Sequence, residues 1–367
     1  MGNGAARSHQ WIVLADDLGR TSIGAQERTG DIVARFLSLI DDEERGSFFP
    51  GKLLEEVLEV FAEHRVVTPP RTGEEYARAI LDYQAEVLLT GWSTPALPMD
   101  LLSGGLGPVK YLCHIAGTLR HRVPRKAIEQ GLLVTNWGPA ISRSVAECAL
   151  MHILCTLRRT AHHQLALHRD KKWRDEVDEN NWGLFERRVG IHGFGNVARA
   201  LIGLLRPFDV KISAWTEGVP DEPYREAGIT KAKSIEELFA GSDVLVELEG
   251  WTPRTEHMVN ERLLRLLPRG ASFVNVGRGQ VVDQAALARV ARERGLRLGL
   301  DVYEQEPLPA ESPLRGMDDV TLTPHIGGPT VDRRQDAGRQ ALENLRRYAR
   351  GEALVSIMTP AVWDRST

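Results

Sequence analysis

The chain has 367 residues, 42% hydrophobic and 26% charged, a globular composition too long for one ordinary core and suggestive of two domains. Its 46 basic and 50 acidic residues leave a formal net charge of −4, so no basic field favours nucleic acid. No apolar stretch approaches the roughly 20 residues of a membrane span. The N-terminal MGNGAARSHQ lacks the apolar core of a secretion signal, and it places Ala6 where a myristoylation site needs Ser or Thr. Cys113, Cys148 and Cys155 are widely spaced and form no CxxC, as expected of reduced cytoplasmic thiols filling buried space.

In chain order, WIVLADD at 11–17 reads as a short buried strand ending in a polar turn. The acidic stretch 41–52, ending in FFPG, reads as a loop or insertion without assigned structure. GKLLEEVLEVFAEH has helical spacing, with Leu53, Leu54, Val57, Leu58 and Phe61 on one face. AEVLLTGWST at 85–94 and PVKYLCHIAG at 108–117 read as further strands, and the alternation argues for a parallel α/β layer. SRSVAECALMHILCTLRRTAHH, from 142, reads as one long helix capped by Ser142 or Ser144. A second series follows, in which RRVGIHG, VKISAWT, SDVLVEL, ASFVNVG, LRLGLDVY and DVTLTPHI read as six strands joined by short helices. That is a doubly wound sheet, entered near 117 and left near 328. The final DRRQDAGRQALENLRRYARGE is a charged amphipathic helix expected to return to the first domain.

GIHGFGNVA places Gly193, Gly195 and Ala198 at the positions of G-x-G-x-x-G/A, between a strand and a helix. Gly193 permits the tight turn, Gly195 lets the backbone approach a pyrophosphate, and Ala198 allows close helix–strand packing. The helix N-terminus then offers free N–H groups and a partial positive charge. The acidic residue expected about 20 residues on, for the adenosine ribose, has two candidate positions in SAWTEG: Thr216 at the strand end and Glu217 as the nearest carboxylate. No Arg follows until Arg225, so NAD is favoured over NADP.

Three motifs in the last third carry chemistry. Arg278 follows the apolar strand ASFVNV in a Gly-Arg-Gly turn, where a guanidinium can hold a carboxylate through two hydrogen bonds. His325 follows VTLTP and precedes two glycines, and its imidazole is suited to donate a proton to, or accept one from, a reacting oxygen. Glu306, followed by Pro307, is the preferred carboxylate to orient that imidazole and raise its pKa, with Glu304 as the rival. Asp301 either meets a nicotinamide carboxamide or caps the next turn, and Asn275 holds the loop. The expected cofactor contacts are Gly193, Gly195, Asn196, Val197, Thr216, Glu217, Val276, Gly277, Asp301 and Gly327. No metal site is expected, because His162 and His163 are adjacent and no HxxxH carries a supporting Glu. GxSxG is absent.

VKYLCHIAGT, GLLVTNWGPAISRSVAE, VGIHGFGNVAR, FVNVGRGQVVD, LDVYEQEPLP and LTPHIGG, in this order, resemble the D-2-hydroxyacid dehydrogenase family. The resemblance implies an α/β fold of two Rossmann-like or flavodoxin-like domains with the active site in a cleft, usually as a homodimer. The implied domains are 9–116 plus 329–367 for substrate and 117–328 for the dinucleotide. It gives Arg278 the substrate carboxylate, and it makes His325 the acid–base supported by Glu306. The chain departs from the family at Ala116, Gly117, Thr118, Leu119 and Arg120, where a Gly-Val-Asp-Asn-like loop is common, and Leu248 and Trp137 are further departures. Ala116, Gly117, Thr118 and Arg120 are therefore the candidate substrate contacts, with Arg120 either binding a second anionic group or simply exposed. The expected activity is NAD(H)-dependent interconversion of a 2-oxo acid and an (R)-2-hydroxy acid by a cytoplasmic homodimer that engages neither membrane nor nucleic acid. The competing reading is a nucleotide-sensing protein on the same fold with little or no turnover.

Overall fold

The computed structural model describes residues 11–15, 21–25, 34–102, 105–173 and 180–365. The chain divides into two compact units, Met1–Ile141 with Val331–Thr367, and Ser142–Thr330.

In the first unit, β1 (Trp11–Ala15) and β2 (Thr21–Ala25) pair antiparallel in a sheet of their own. WIVLA is thus a strand, but not one of the parallel layer, and the turn expected at 16–17 lies outside the described residues. The parallel sheet begins instead at β3 (Arg35–Ser38), which the sequence reading missed. The supposed loop at 41–52 contains helix α1 (Asp42–Phe48), closed by a capping box between Asp41 and Glu44. Next come α2 (Leu53–Leu58), β4 (Glu63–Val66), and α3 (Gly73–Tyr83), whose N-terminus is capped by Thr72. The remaining elements are β5 (Val87–Thr90), β6 (Tyr111–His114), α4 (Arg125–Glu129) and β7 (Leu133–Thr135). The five parallel strands run β4-β3-β5-β6-β7, the flavodoxin-like arrangement. Because β7 pairs with β6, residues 117–141 belong to this unit rather than to the second one. A three-residue edge strand is too short to be read from its pattern.

The second unit opens with α5 (Ser142–Leu157), which ends before Arg159 adopts a left-handed φ of 51°, and α6 (Thr160–His168) follows. The single helix expected here is therefore two. Arg159 forks onto Asp319 at the break, with Nε 2.7 Å and Nη2 3.0 Å from the two carboxylate oxygens. Neither Ser142 nor Ser144 caps α5, since a 3-10 turn at Gly138–Ile141 leads straight into it. The helix over Gly138–Leu157 has the length and apolar composition of a membrane span, which the sequence reading overlooked, and half of it is buried within the protein. Only Arg143 and Glu147 interrupt it with charge.

The elements that follow are β8 (Arg188–His192), α7 (Asn196–Leu205), β9 (Lys211–Trp215), α8 (Glu222–Glu226) and β10 (Thr230–Lys231). After them come α9 (Ile235–Ala240), β11 (Val244–Glu247), α10 (Glu261–Leu264) and β12 (Ser272–Asn275). The unit closes with α11 (Gln284–Arg294), β13 (Arg297–Leu300) and β14 (Val320–Leu322). The parallel sheet has seven strands in the order β10-β9-β8-β11-β12-β13-β14; the two-residue β10 is the one the sequence reading lacked. Strand order reverses between β8 and β11, the switch point at which such sheets bind ligands beyond their carboxyl ends. Core strands such as Val244–Glu247 and Ser272–Asn275 are buried throughout, as a sheet covered on both faces requires.

The chain returns to the first unit in α12 (Arg334–Ala349) and α13 (Pro360–Arg365). Gly338 of α12 lies against α1 so closely that an added Cβ would stand 1.9 Å from the Phe48 carbonyl oxygen. Gly338→Ala is expected to lower the thermal unfolding temperature, at a cost of about 1–3 kcal/mol typical of overpacking. An unchanged melting temperature would contradict this packing.

Candidate active site

The buried strand β8 delivers the chain into Gly193, whose φ is +94°. A Cβ there would lie 2.5 Å from Glu249 N and Leu248 C, so only glycine lets the turn pass the end of β11. Nothing stands within 4 Å of the Cβ position at Gly195, and no side chain caps the ten-residue helix α7. Gly195 and Asn196 are exposed, Val197 is half-buried, and Ala198 is fully buried against the sheet. An open helix N-terminus behind a glycine turn is a set of backbone donors that fits a dinucleotide pyrophosphate.

Thr216, just past β9, accepts a hydrogen bond from Phe194 N at 2.6 Å and donates one to Glu249 Oε2 at 3.1 Å. Glu217 points toward solvent and pairs with Arg254 at 2.7 Å, a cation supplied from a distant loop that the sequence reading did not consider. Beneath the turn, His192 Nδ1 and Glu247 Oε2 are 2.6 Å apart and both side chains are wholly buried. Burial would depress the imidazole pKa, but Glu247 and, more weakly, Glu249 reverse the effect, and the net shift is upward. The alternation in VELE, which sets Glu247 and Glu249 on one face, was the available signal for this cluster.

Arg278 follows β12 in a turn held by Asn275, whose side chain accepts from Gly277 N at 3.0 Å and donates to Arg278 O at 3.2 Å. Gly279 is required by close packing, since a Cβ there would reach 1.9 Å from Tyr303 C, and Gly277 is tightly packed, with a Cβ 3.0 Å from Leu248 Cα. Val276 is buried beside them. Burial lowers the Arg278 pKa, with Glu306 acting in the opposite direction.

His325 Nδ1 and Glu306 Oε2 are 2.7 Å apart, and Glu306 Oε1 accepts from Tyr303 N at 3.0 Å. The rival Glu304 pairs instead with His257 at 2.9 Å. The Glu306 hydrogen bond is the main cause of the raised His325 pKa, which burial and Arg278 oppose. For Glu306, burial favours the neutral acid, but His325 and the Tyr303 N–H outweigh it and the pKa falls. An anionic Glu306 accepts only, so Nδ1 carries a proton and Nε2 is the nitrogen left to face a bound molecule. His325 holds a left-handed φ of 55°, a conformation uncommon outside glycine. The pair lines a cavity of about 600 Å³ whose other walls include Tyr303, Leu308 and Leu322.

Asp301 braces the loop after β14 rather than the turn that follows it in sequence. It is 1% exposed and accepts from Thr323 Oγ1 at 2.6 Å, Ile326 N at 2.8 Å and Gly327 N at 2.7 Å. Its carbonyl accepts from His325 N at 2.9 Å. Cys148 and His152 approach it to within 4.8 Å, the one group with metal-ligating donors among the described residues. His152 Nε2 is 2.9 Å from Thr323 Oγ1, so this cluster extends the brace into α5.

The candidate substrate residues lie beyond β6 in the first unit. Ala116 is buried and Thr118 exposed. Gly117 abuts Trp137, whose ring would be 2.5 Å from an added Cβ. Arg120 is neither a free anion-binding group nor simply exposed: it lies over the Trp363 ring and donates to the Asp364 carbonyl at 2.9 Å, tying the loop to α13.

The sequence profile of the D-isomer specific 2-hydroxyacid dehydrogenase, NAD binding domain, matches residues 150–327. A glyoxylate reductase of Thermococcus kodakarensis is 32% identical over 246 residues, covering 65% of this chain and 72% of that protein. The chain belongs to the D-isomer specific 2-hydroxyacid dehydrogenase family. Within it, the fold agrees with that of the apo D-mandelate dehydrogenase of Rhodotorula graminis, at a TM-score of 0.77 and 22% identity over 89% of this chain and 98% of that one. A family structure from Xanthobacter autotrophicus, solved with NADPH and MES, gives 0.68 and 24% over 90% of this chain and 100% of that one. Membership carries the coarse chemistry, nicotinamide-dependent oxidoreduction between 2-hydroxy and 2-oxo acids.

Removing the brace tests its importance in this dehydrogenase. Asp301→Ala would strand the buried Gly327 N–H, at a cost of about 1–3 kcal/mol, and leave the less buried donors of Thr323 and Ile326 without their acceptor. The expected result is a lower melting temperature and faster amide exchange at 323–327, and unchanged exchange there would contradict the assignment.

Proposed function

We propose that this protein is an NAD(H)-dependent enzyme that interconverts a 2-oxo acid and an (R)-2-hydroxy acid. The observation that carries the reading is the 2.7 Å contact between His325 Nδ1 and Glu306, beside the partly buried guanidinium of Arg278. When bound, the nicotinamide dinucleotide supplies or accepts the hydride. Arg278 holds the substrate carboxylate, and its desolvation strengthens that ion pair. In the reductive direction, protonated His325 gives its Nε2 proton to the substrate carbonyl oxygen. In the oxidative direction, neutral His325 takes the hydroxyl proton at the same nitrogen. Glu306 keeps the ring oriented and stabilises the imidazolium. Gly193, Gly195 and the first turn of α7 receive the pyrophosphate.

A sensor with little turnover is the competing reading. The presence of all three reactive groups favours the enzyme, and following NADH absorbance over a panel of 2-oxo acids separates the two. Tight NADH binding without oxidation by any of them would favour the sensor.

His325→Ala is expected to reduce kcat/KM by roughly 100-fold or more, the usual loss with a general acid–base. Wild-type turnover in this variant would contradict the role. The direction of the His325 shift also fixes the pH dependence. Reduction needs the protonated ring, so kcat/KM should hold at low pH and fall as pH rises through a pKa above 6.5. Oxidation needs the neutral ring and should rise across the same window. Profiles that move in the same direction for both reactions would contradict it.

A further inference from the structure

The dinucleotide turn has two carboxylates within reach, and they differ in kind. Glu217 follows the carboxyl end of β9, where a ribose-binding acid is expected, but its side chain is 58% exposed and paired with Arg254, itself 76% exposed. Solvent screens that pair, and its cation cancels its charge. At the strand end itself stands Thr216, a hydroxyl and not an acid. Glu249 arrives from just past β11, on the far side of β8 from β9. It is half-buried and held at three points: Oε2 by the Thr216 hydroxyl at 3.1 Å, Oε1 by Gly250 N at 3.1 Å, and its own N–H by Glu247 Oε1 at 2.8 Å. Its backbone nitrogen would be 2.5 Å from a Cβ on Gly193, so this carboxylate is anchored against the turn that receives the pyrophosphate. Glu247, wholly buried behind it, adds negative charge that His192 offsets.

We infer that Glu249, reaching across from β11 and oriented by Thr216, is the residue that selects a dinucleotide with a free ribose diol over one bearing a 2′-phosphate. The inference deepens the oxidoreductase reading above and rests on it. A fixed carboxylate accepts hydrogen bonds from a diol, and it repels a phosphate dianion placed at the same spot. A half-buried, pinned carboxylate outweighs an exposed one already neutralised by a guanidinium, because solvent screens the first far less. Thr216 acts here as a positioning residue: its hydroxyl spends its proton on Glu249 and its lone pair on Phe194 N.

The test is direct binding of NADH and of NADPH, followed by nicotinamide fluorescence, to the full chain and to Glu249→Gln, Glu217→Gln and Thr216→Val, with thermal unfolding as the folding control. The wild type should bind NADH more tightly than NADPH. Glu249→Gln should narrow that ratio by roughly 10-fold or more, the loss of a charge-assisted hydrogen bond. Thr216→Val should narrow it in the same sense, and it carries the test if Glu249→Gln does not fold. Glu217→Gln should narrow it less than either. The inference is overturned if Glu249→Gln keeps the wild-type ratio, if Glu217→Gln has the larger effect, or if the wild type prefers NADPH. A wild type that binds neither dinucleotide overturns the oxidoreductase reading as well, which keeps the two failures apart.

Discussion

One hydrogen bond, from His325 Nδ1 to Glu306 Oε2, decides what the imidazole can do. An isolated histidine after a strand offers either nitrogen, in either tautomer, at a pKa set by solvent. Glu306 removes that freedom, because an ionised carboxylate can only accept. It also favours the charged ring, which an acid catalyst needs in the reductive direction. The rest of the second unit holds this contact in place. The Asp301 carboxylate accepts from Ile326 N and Gly327 N and its carbonyl from His325 N, so His325 can keep a left-handed backbone. Tyr303 N fixes the other oxygen of Glu306, and Tyr303 also walls in the Arg278 turn through Gly279.

The same construction recurs along the sheet. Carboxylates at or just past the carboxyl ends of β11 and β13 are sunk among backbone N–H donors: Glu247 and Glu249 on the first, Asp301 on the second. A buried carboxylate with satisfied lone pairs can orient a loop, as the same group would not if it were free in water. At β13 the carboxylate orders the loop that carries His325, and at β11 the loop so ordered flanks the glycine turn. The switch point between β8 and β11 puts the glycine turn and the carboxylate pair side by side.

Much of this was legible in the chain because the information was local. Gly193, Gly195 and Ala198 are spaced by the turn they make, and Arg278, Glu306 and His325 each follow a strand within a few residues. What escaped was cross-strand or too short to carry a pattern. The His192–Glu247 and Thr216–Glu249 contacts join residues far apart in sequence, so spacing says nothing of them, although VELE advertised two carboxylates on one face. Arg254 reaches Glu217 from a loop whose path no periodicity defines. The strands β7 and β10, of three and two residues, have no period to read, and the first domain boundary was misplaced with β7. Helix α1 was a different miss: Asp41 and Glu44 spelled out its capping box within an acidic run that looked like a loop.

The central claim concerns the state of one ring, and nitrogen-resolved NMR of His325 across pH reads it directly. The account requires a neutral form with the proton on Nδ1, a pKa above 6.5 in the wild type, and a fall in that pKa when Glu306 is replaced by Gln. A neutral ring protonated on Nε2, or a pKa indifferent to the Glu306→Gln change, would contradict it.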